Sequence, residues 1–172
     1  MGKGRVHVIE TNLDFLPTHE GLRKRTDKII VHHVGETNRD VSAAEIHKWH
    51  LQRGFTGIGY HYVIRKDGSI ERGRPRDWVG SHCNAGDDNY DSVGICVVGE
   101  FTKFQPELKQ VDALTNLIAD LCEIYSLRPG PDTIFGHRDR KHTTCPGTNL
   151  YIKLPSIEKK VAYLITIKGK VA

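Results

Sequence analysis

Short runs of β-branched residues alternate along this chain with longer stretches of helical spacing. KIIVHH at 28–33 is an apolar run that predicts a buried strand ending in two histidines. GETNRDVS breaks the run. Ser42 and Glu45 then make the S-x-x-E pattern of a helix start, which predicts a helix from Ala43 through EIHKWHLQR. Ile46, Trp49 and the aliphatic stem of Arg53 share its apolar stripe, Gly54 supplies the C-terminal cap, and His47 and His50 fall at the surface or edge. Tyr60 to Arg65 alternate, Asp67-Gly68 is a tight-turn dipeptide and Ser69 to Arg72 return, so a β-hairpin is predicted. A loop of small polar residues, 79–92, leads into a second buried strand, VGICVVGEF at 93–101. Pro106 opens the strongest helix, in which Leu108, Val111, Leu114, Leu117, Ile118, Leu121, Cys122 and Tyr125 keep helical spacing until Pro129 and Pro131 stop it. DTIFGH at 132–137 reads as a short strand that delivers His137 into the loop RDRKHTTCPG. A shorter helix is predicted at 156–164, beside the apolar stretch AYLITI.

Strand, helix, hairpin, strand, long helix and strand predict a single α/β domain, a central mixed β-sheet flanked by helices. The boundaries drawn from this pattern are an N-terminal extension at 1–27, a domain at 28–154, and a tail at 155–172 that packs on the domain or trails from it. At 172 residues, with 38% hydrophobic and 27% charged residues, the chain has the length and composition of one folded domain. Its apolar runs are too short to span a bilayer, so no membrane insertion is expected. The N-terminus lacks the apolar segment of a secretory signal, so synthesis in a cytoplasm is expected. The formal charge of +4 favours encounter with an anionic partner. The basic residues are scattered, with RKR at 23–25 the densest cluster, so nucleic acid is not expected.

Candidate chemistry lies with histidine and cysteine. The four cysteines form no CxxC pair, which excludes a zinc ribbon or a thioredoxin motif. Cys96 and Cys122 sit in apolar runs and read as small buried hydrophobes, whereas Cys145 stands in the polar loop HTTCPG. His32 and His33 end the first strand, His137 ends the last, and Cys145 follows in the same loop. Two imidazoles and a thiolate with a fourth position open are the ligand pattern of a catalytic zinc, and strand alternation lets only one of His32 and His33 face it. Spacing alone leaves two alternatives open. The histidines could be satisfied core or surface groups, or Cys145 could be a nucleophile with His137 as base, for which no orienting third group is evident locally.

Four segments carry a family resemblance: VHH at 31–33, GYHYVIRKDGSIERGR at 59–74, VGSH with a downstream Asn and SVGICVVGEF within 79–101, and GHRDRKHTTCPG at 136–147. In order and spacing the chain resembles the type-2 N-acetylmuramoyl-L-alanine amidases over roughly residues 28–150. The resemblance implies Zn2+ as cofactor, with His32, His137 and Cys145 as metal ligands and His33 on the opposite face. It places Tyr60 beside the metal site and the substrate carbonyl, gives Glu71 a part in proton handling, and puts the Thr143 hydroxyl where part of the family carries lysine. It sets His82 and Asn84 on a loop bordering the substrate groove, for substrate contact or for loop hydrogen bonding, with Asn89 ordering that loop. His61 is expected to pack in the sheet, Trp49 in the core and Trp78 at the groove rim.

The implied reaction is hydrolysis of the amide joining N-acetylmuramic acid to L-alanine in peptidoglycan. The implied role is that of a phage or prophage endolysin acting on the cell wall after release. A cytosolic enzyme recycling muropeptides is the alternative, and a non-catalytic peptidoglycan-binding module is a third reading that the presence of all three ligands argues against. The expected partner is peptidoglycan or a muropeptide, and a monomer is expected. A phage member of the family also inhibits an RNA polymerase, in part through its N-terminal region. Residues 1–27 show no match to that region, so a polymerase partner is not carried over.

Overall fold

The computed structural model describes residues 6–18 and 21–169; the remaining parts of the 1–27 extension and of the 155–172 tail lie outside the described residues. The strands are β1 (Val8–Ile9), β2 (Lys28–His33), β3 (Tyr62–Ile64), β4 (Ile70–Arg72), β5 (Ser92–Val97) and β6 (Ile134–Gly136). The helices are α1 (Ala43–Gln52), α2 (Asp88–Asp91), α3 (Leu108–Tyr125), α4 (Thr148–Tyr151) and α5 (Leu154–Gly169). The strands form one sheet in the order β1-β4-β3-β5-β2-β6. Among the paired strands of the described residues, β3 and β4 run antiparallel and the other pairs are parallel. The result is a single α/β domain with a mixed sheet between helices. Because β5 and β2 are central and covered on both faces, they read as continuous apolar runs rather than as alternating ones.

Alternation along β2 sorts its residues between two cores. Ile29 and Val31 join Ile95, Leu114, Leu117, Ile118 and Val161 in the larger cluster, under α3 and α5. The smaller cluster, on the α1 side, holds Val41, Ala43, Ile46, Ile58, Val63 and Cys96, with Trp49 packed against it. The hairpin turns at Gly68, whose φ of +86° suits the residue without a Cβ. Among the described residues no helix is long and apolar enough to cross a membrane.

Several elements depart from the sequence pattern. Ser42 caps α1 by accepting the Glu45 N–H at 3.2 Å, but the Glu45 carboxylate accepts from Arg39 instead of closing a reciprocal box. His47 and His50 are 5% and 8% exposed, not surface residues as expected. Their Nδ1 atoms accept the backbone N–H groups of Ile58 (3.1 Å) and Gly59 (2.9 Å), donors in a loop with no strand partner that would otherwise be buried unpaired. Leu108, counted on the apolar stripe of α3, is 82% exposed, because α3 begins there with Glu107 as its N-cap.

α5 is longer than the predicted 156–164. Pro155 fits the first turn of a helix, where no N–H is needed, and AYLITI continues the helix. Leu154, Ile157 and Val161 are buried against the main core. Within the extension, Val8 pairs with Ile70 and Ile9 with Glu71, while Leu13 and Phe15 pack on the smaller core.

Candidate active site

Parallel strands β2 and β6 end side by side, and their C-terminal ends carry the histidines singled out above. His32 is the penultimate residue of β2. β6 stops at Gly136, and His137 opens a single 3-10 turn, His137–Asp139. The loop that follows returns to this turn, with Arg138 N–H bonded to the Cys145 carbonyl at 2.9 Å, and Cys145 Sγ accepts the His33 N–H at 3.4 Å. One ligand atom from each of His32, His137 and Cys145 lies within 4.8 Å of the others. His32 Nδ1 stands 3.7 Å from Cys145 Sγ, and the His32 and His137 rings are 4.4 Å apart.

The electrostatics of the cluster suit a cation. Burial, reinforced by neighbouring imidazoles, holds His32 well below the usual histidine range, so it is neutral with a lone pair to give. Burial likewise lowers His137, and its Nε2 is buried without a hydrogen-bond partner. Burial pushes the Cys145 thiol up to about 12, so a thiolate there requires a positive charge beside it. The same shift disfavours Cys145 as a free nucleophile. Two imidazole nitrogens and one sulfur, with the His137 Nε2 among them buried and unpaired, fit a metal of zinc type.

Tyr60 adjoins this cluster, its ring 5.1 Å from that of His32. Burial raises its hydroxyl well above the usual tyrosine range, so it remains a donor. Tyr60 also lines a small cleft with Val34, Ile46, Trp49, Glu36 and Arg53, the last two paired at 2.8 Å. Thr143 is half-buried, and its Oγ1 accepts the Cys145 N–H at 3.2 Å. Lys141 and His142 are exposed.

Two expected positions come out differently. Glu71 is not brought to the cluster. In the sheet register it shares a row with Val63, Cys96 and His32, three strand spacings from the ligand, or about 14 Å. Its oxygens accept from Arg65 and from the Ala43 N–H, both at 2.6 Å, so it caps α1. His82 does not border a groove: it is buried behind His32, with its Nδ1 3.0 Å from His32 Nε2, and burial lowers it to about 3. Asn84 is exposed on the 79–92 loop, apart from His82 in environment. Asn89 Oδ1 accepts the N–H groups of His82 and Cys83, both at 2.9 Å, and so orders that loop.

His33 turns away from the cluster, accepting the Phe101 N–H through Nδ1 at 3.1 Å. His61 is fully buried and accepts the Gly94 N–H at 3.0 Å. Trp78 packs edge-on against Phe15. Sequence reasoning missed Asp88, whose buried carboxylate holds Arg140 of the ligand loop at 2.8 and 3.0 Å and Lys28 at 3.1 Å. The only local signal for it is the placement of Arg140 between His137 and Cys145.

Residues 22–148 match the family model described as N-acetylmuramoyl-L-alanine amidase. The endolysin of Enterobacteria phage K11 is 36% identical over 134 residues, which cover 74% of this chain and 85% of that protein. The endolysin of Escherichia phage T7 is 32% identical with the same coverage. The solved structure of the N-acetylmuramoyl-L-alanine amidase LysC from Clostridium intestinale URNW aligns with a TM-score of 0.80 at 33% identity, covering 91% of this chain and 97% of that one. The family match begins before β2 and ends beyond Cys145, so it spans His32, His137 and Cys145 together, and the chain belongs to the type-2 N-acetylmuramoyl-L-alanine amidase family.

Proposed function

We propose that this amidase depends on zinc, cuts the amide between N-acetylmuramic acid and the first L-alanine of peptidoglycan, and serves as a phage or prophage endolysin. The observation that carries the metal reading is the convergence of His32, His137 and Cys145, with His137 Nε2 buried and unpaired. These three residues would hold the ion. When bound, zinc supplies Lewis-acid polarisation of the scissile carbonyl and activation of water.

The chain's own groups do the rest. The Tyr60 hydroxyl, held protonated by burial, donates to the carbonyl oxygen as negative charge grows on it. Thr143 uses its oxygen to accept from Cys145 N–H, which leaves its hydroxyl proton free to point at the substrate. Glu71 has both oxygens engaged by α1 and Arg65, so its part is to hold α1 in place rather than to carry a proton. Asn84, exposed on the loop beside the site, is available to contact the glycan or the peptide. The endolysin role rests on phage endolysins that share 36% and 32% identity across most of their own length. A net charge of +4 suits an anionic wall.

The test compares metal-free protein with zinc-restored protein on purified sacculi and on soluble anhydro-muropeptide, scoring new alanine amino groups and new reducing sugars separately. Zinc-dependent amino groups without reducing sugars, faster on sacculi, are expected, and Cys145→Ala abolishes them. Amino-group release that survives zinc removal, or that survives Cys145→Ala, overturns the metal reading. Cleavage of the soluble fragment with sacculi untouched overturns the endolysin role in favour of recycling.

A further inference from the structure

Behind the ligand cluster lies a chain of polar groups whose direction is fixed at its far end. We propose that His82 is a positioning residue that locks His32 into the tautomer and orientation a metal requires. The proposal rests on the metal reading above and adds a residue outside the ligand set.

At the far end of this chain stands a group that can only accept. The backbone carbonyl of Asp88 takes a hydrogen bond from Ser92 Oγ. A carbonyl has no proton, so the Ser92 hydroxyl proton is committed to it. Ser92 Oγ also lies 3.3 Å from His82 Nε2, and with its proton committed it can only accept there, so His82 carries its proton on Nε2. His82 Nδ1 is then bare, and it faces His32 Nε2 at 3.0 Å. His32 must donate through Nε2, which leaves its Nδ1 unprotonated. That is the atom 3.7 Å from Cys145 Sγ. Each link follows from the one before, and the last lone pair points into the cluster.

The seat of His82 is built for an imidazole. A Cβ at Gly94 would come within 2.4 Å of His82 Cγ, and one at Gly80 within 2.6 Å of its Cδ2, so the ring occupies a slot that two side chains are missing from. Asn89 pins the His82 backbone N–H at 2.9 Å. Asp88 serves both sides of the site: its carbonyl ends the relay behind His32, and its carboxylate holds Arg140 of the loop that carries His137 and Cys145. Outer groups of this kind set ligand orientation, and their loss typically lowers metal affinity by about 10–100-fold.

Two substitutions separate the hydrogen bond from the packing. His82→Asn places an amide oxygen near the Nδ1 position but underfills the slot, whereas His82→Phe fills the slot without an acceptor. Zinc affinity is read by competition with a chromophoric chelator, and the tautomer of His32 by nitrogen-15 NMR on the metal-free protein. Expected are a His82→Phe affinity weaker by about 10–100-fold, a His82→Asn affinity within a few-fold of the parent, and a parent His32 protonated on Nε2. Unchanged affinity in His82→Phe, or His32 protonated on Nδ1 in the parent, overturns the proposal. Ser92→Ala keeps the slot filled and serves if His82→Phe does not fold; it should release the tautomer of His32, and an unmoved tautomer population counts against the relay. A parent protein that binds no zinc would sink the metal reading instead, while the NMR measurement still decides the relay.

Discussion

His50 offers a direct test of how the loop under Tyr60 is held. Its ring is buried between Phe55 and Tyr60, and its Nδ1 accepts the Gly59 N–H at 2.9 Å. Burial, followed by the nearby Arg53 and Arg74 cations, brings its pKa from 6.5 to about 4. The unfolded chain therefore binds a proton at His50 that the folded chain refuses between those values. The contribution of neutral His50 to stability is complete above pH 6.5, falls with pH through that window and is gone below about 4. The linkage amounts to about 2 kcal/mol lost between pH 7 and pH 5, and about 3 kcal/mol below pH 4. His50→Asn keeps an acceptor for Gly59 and does not titrate. Urea unfolding of both proteins without metal, followed by Trp49 and Trp78 fluorescence at pH 7 and pH 5, isolates the effect because every other titrating group is common to the two. The variant should be less stable at pH 7 by about 1 kcal/mol for its lost ring contacts, yet lose about 2 kcal/mol less than the parent on going to pH 5. Equal losses in parent and variant would refute the reasoning.

Glu71→Gln should lower stability by about 1–2 kcal/mol, from the weakened pairing with Arg65, while leaving the pH–rate profile of hydrolysis in place; loss of a limb of that profile would return Glu71 to proton transfer. Arg74 is buried, and its guanidinium donates to the Ile58 and Val79 carbonyls at 3.0 Å each. Arg74→Met strands both acceptors at about 1–3 kcal/mol apiece, so a urea midpoint within error of the parent would contradict that role.

The elements legible in the sequence are those whose signal is local. β2 and β5 are unbroken apolar runs because both of their faces are covered, and α3 keeps its stripe for most of its length. β1 has no such signal. Two residues in a polar arm become a strand only because the edge of β4 offers them partners, and no periodicity can be read from two positions. His47 and His50 mislead for a related reason: a polar side chain on a short helix reads as surface until the loop donors that it satisfies are known. Those donors lie about ten residues further along, in a stretch with no regular pattern.

The site divides along the same line. Alternation says that only one of His32 and His33 can reach a ligand cluster, and the choice between them turns on which core each face of β2 meets. Ile29 and Val31 face α3, so His33 follows them and is spent on the Phe101 N–H, while His32 shares its row with Cys96 and Val63 on the other face. That row explains the misreading of Glu71 as well. A carboxylate on the correct face of the sheet, in a segment resembling an active-site hairpin, is still three strands away and already bonded to a helix N-terminus. Strand face is a property of sequence parity, whereas distance across a sheet is a property of strand order, and β4 and β2 are separated by β3 and β5. His82 fails in the opposite sense. Its loop reads as a groove border, yet two glycines without side chains draw the imidazole inward against His32. What a motif conveys is therefore which groups are present at the site; which nitrogen of His32 faces Cys145 and which faces His82 is decided by an acceptor-only carbonyl on α2 that no motif contains.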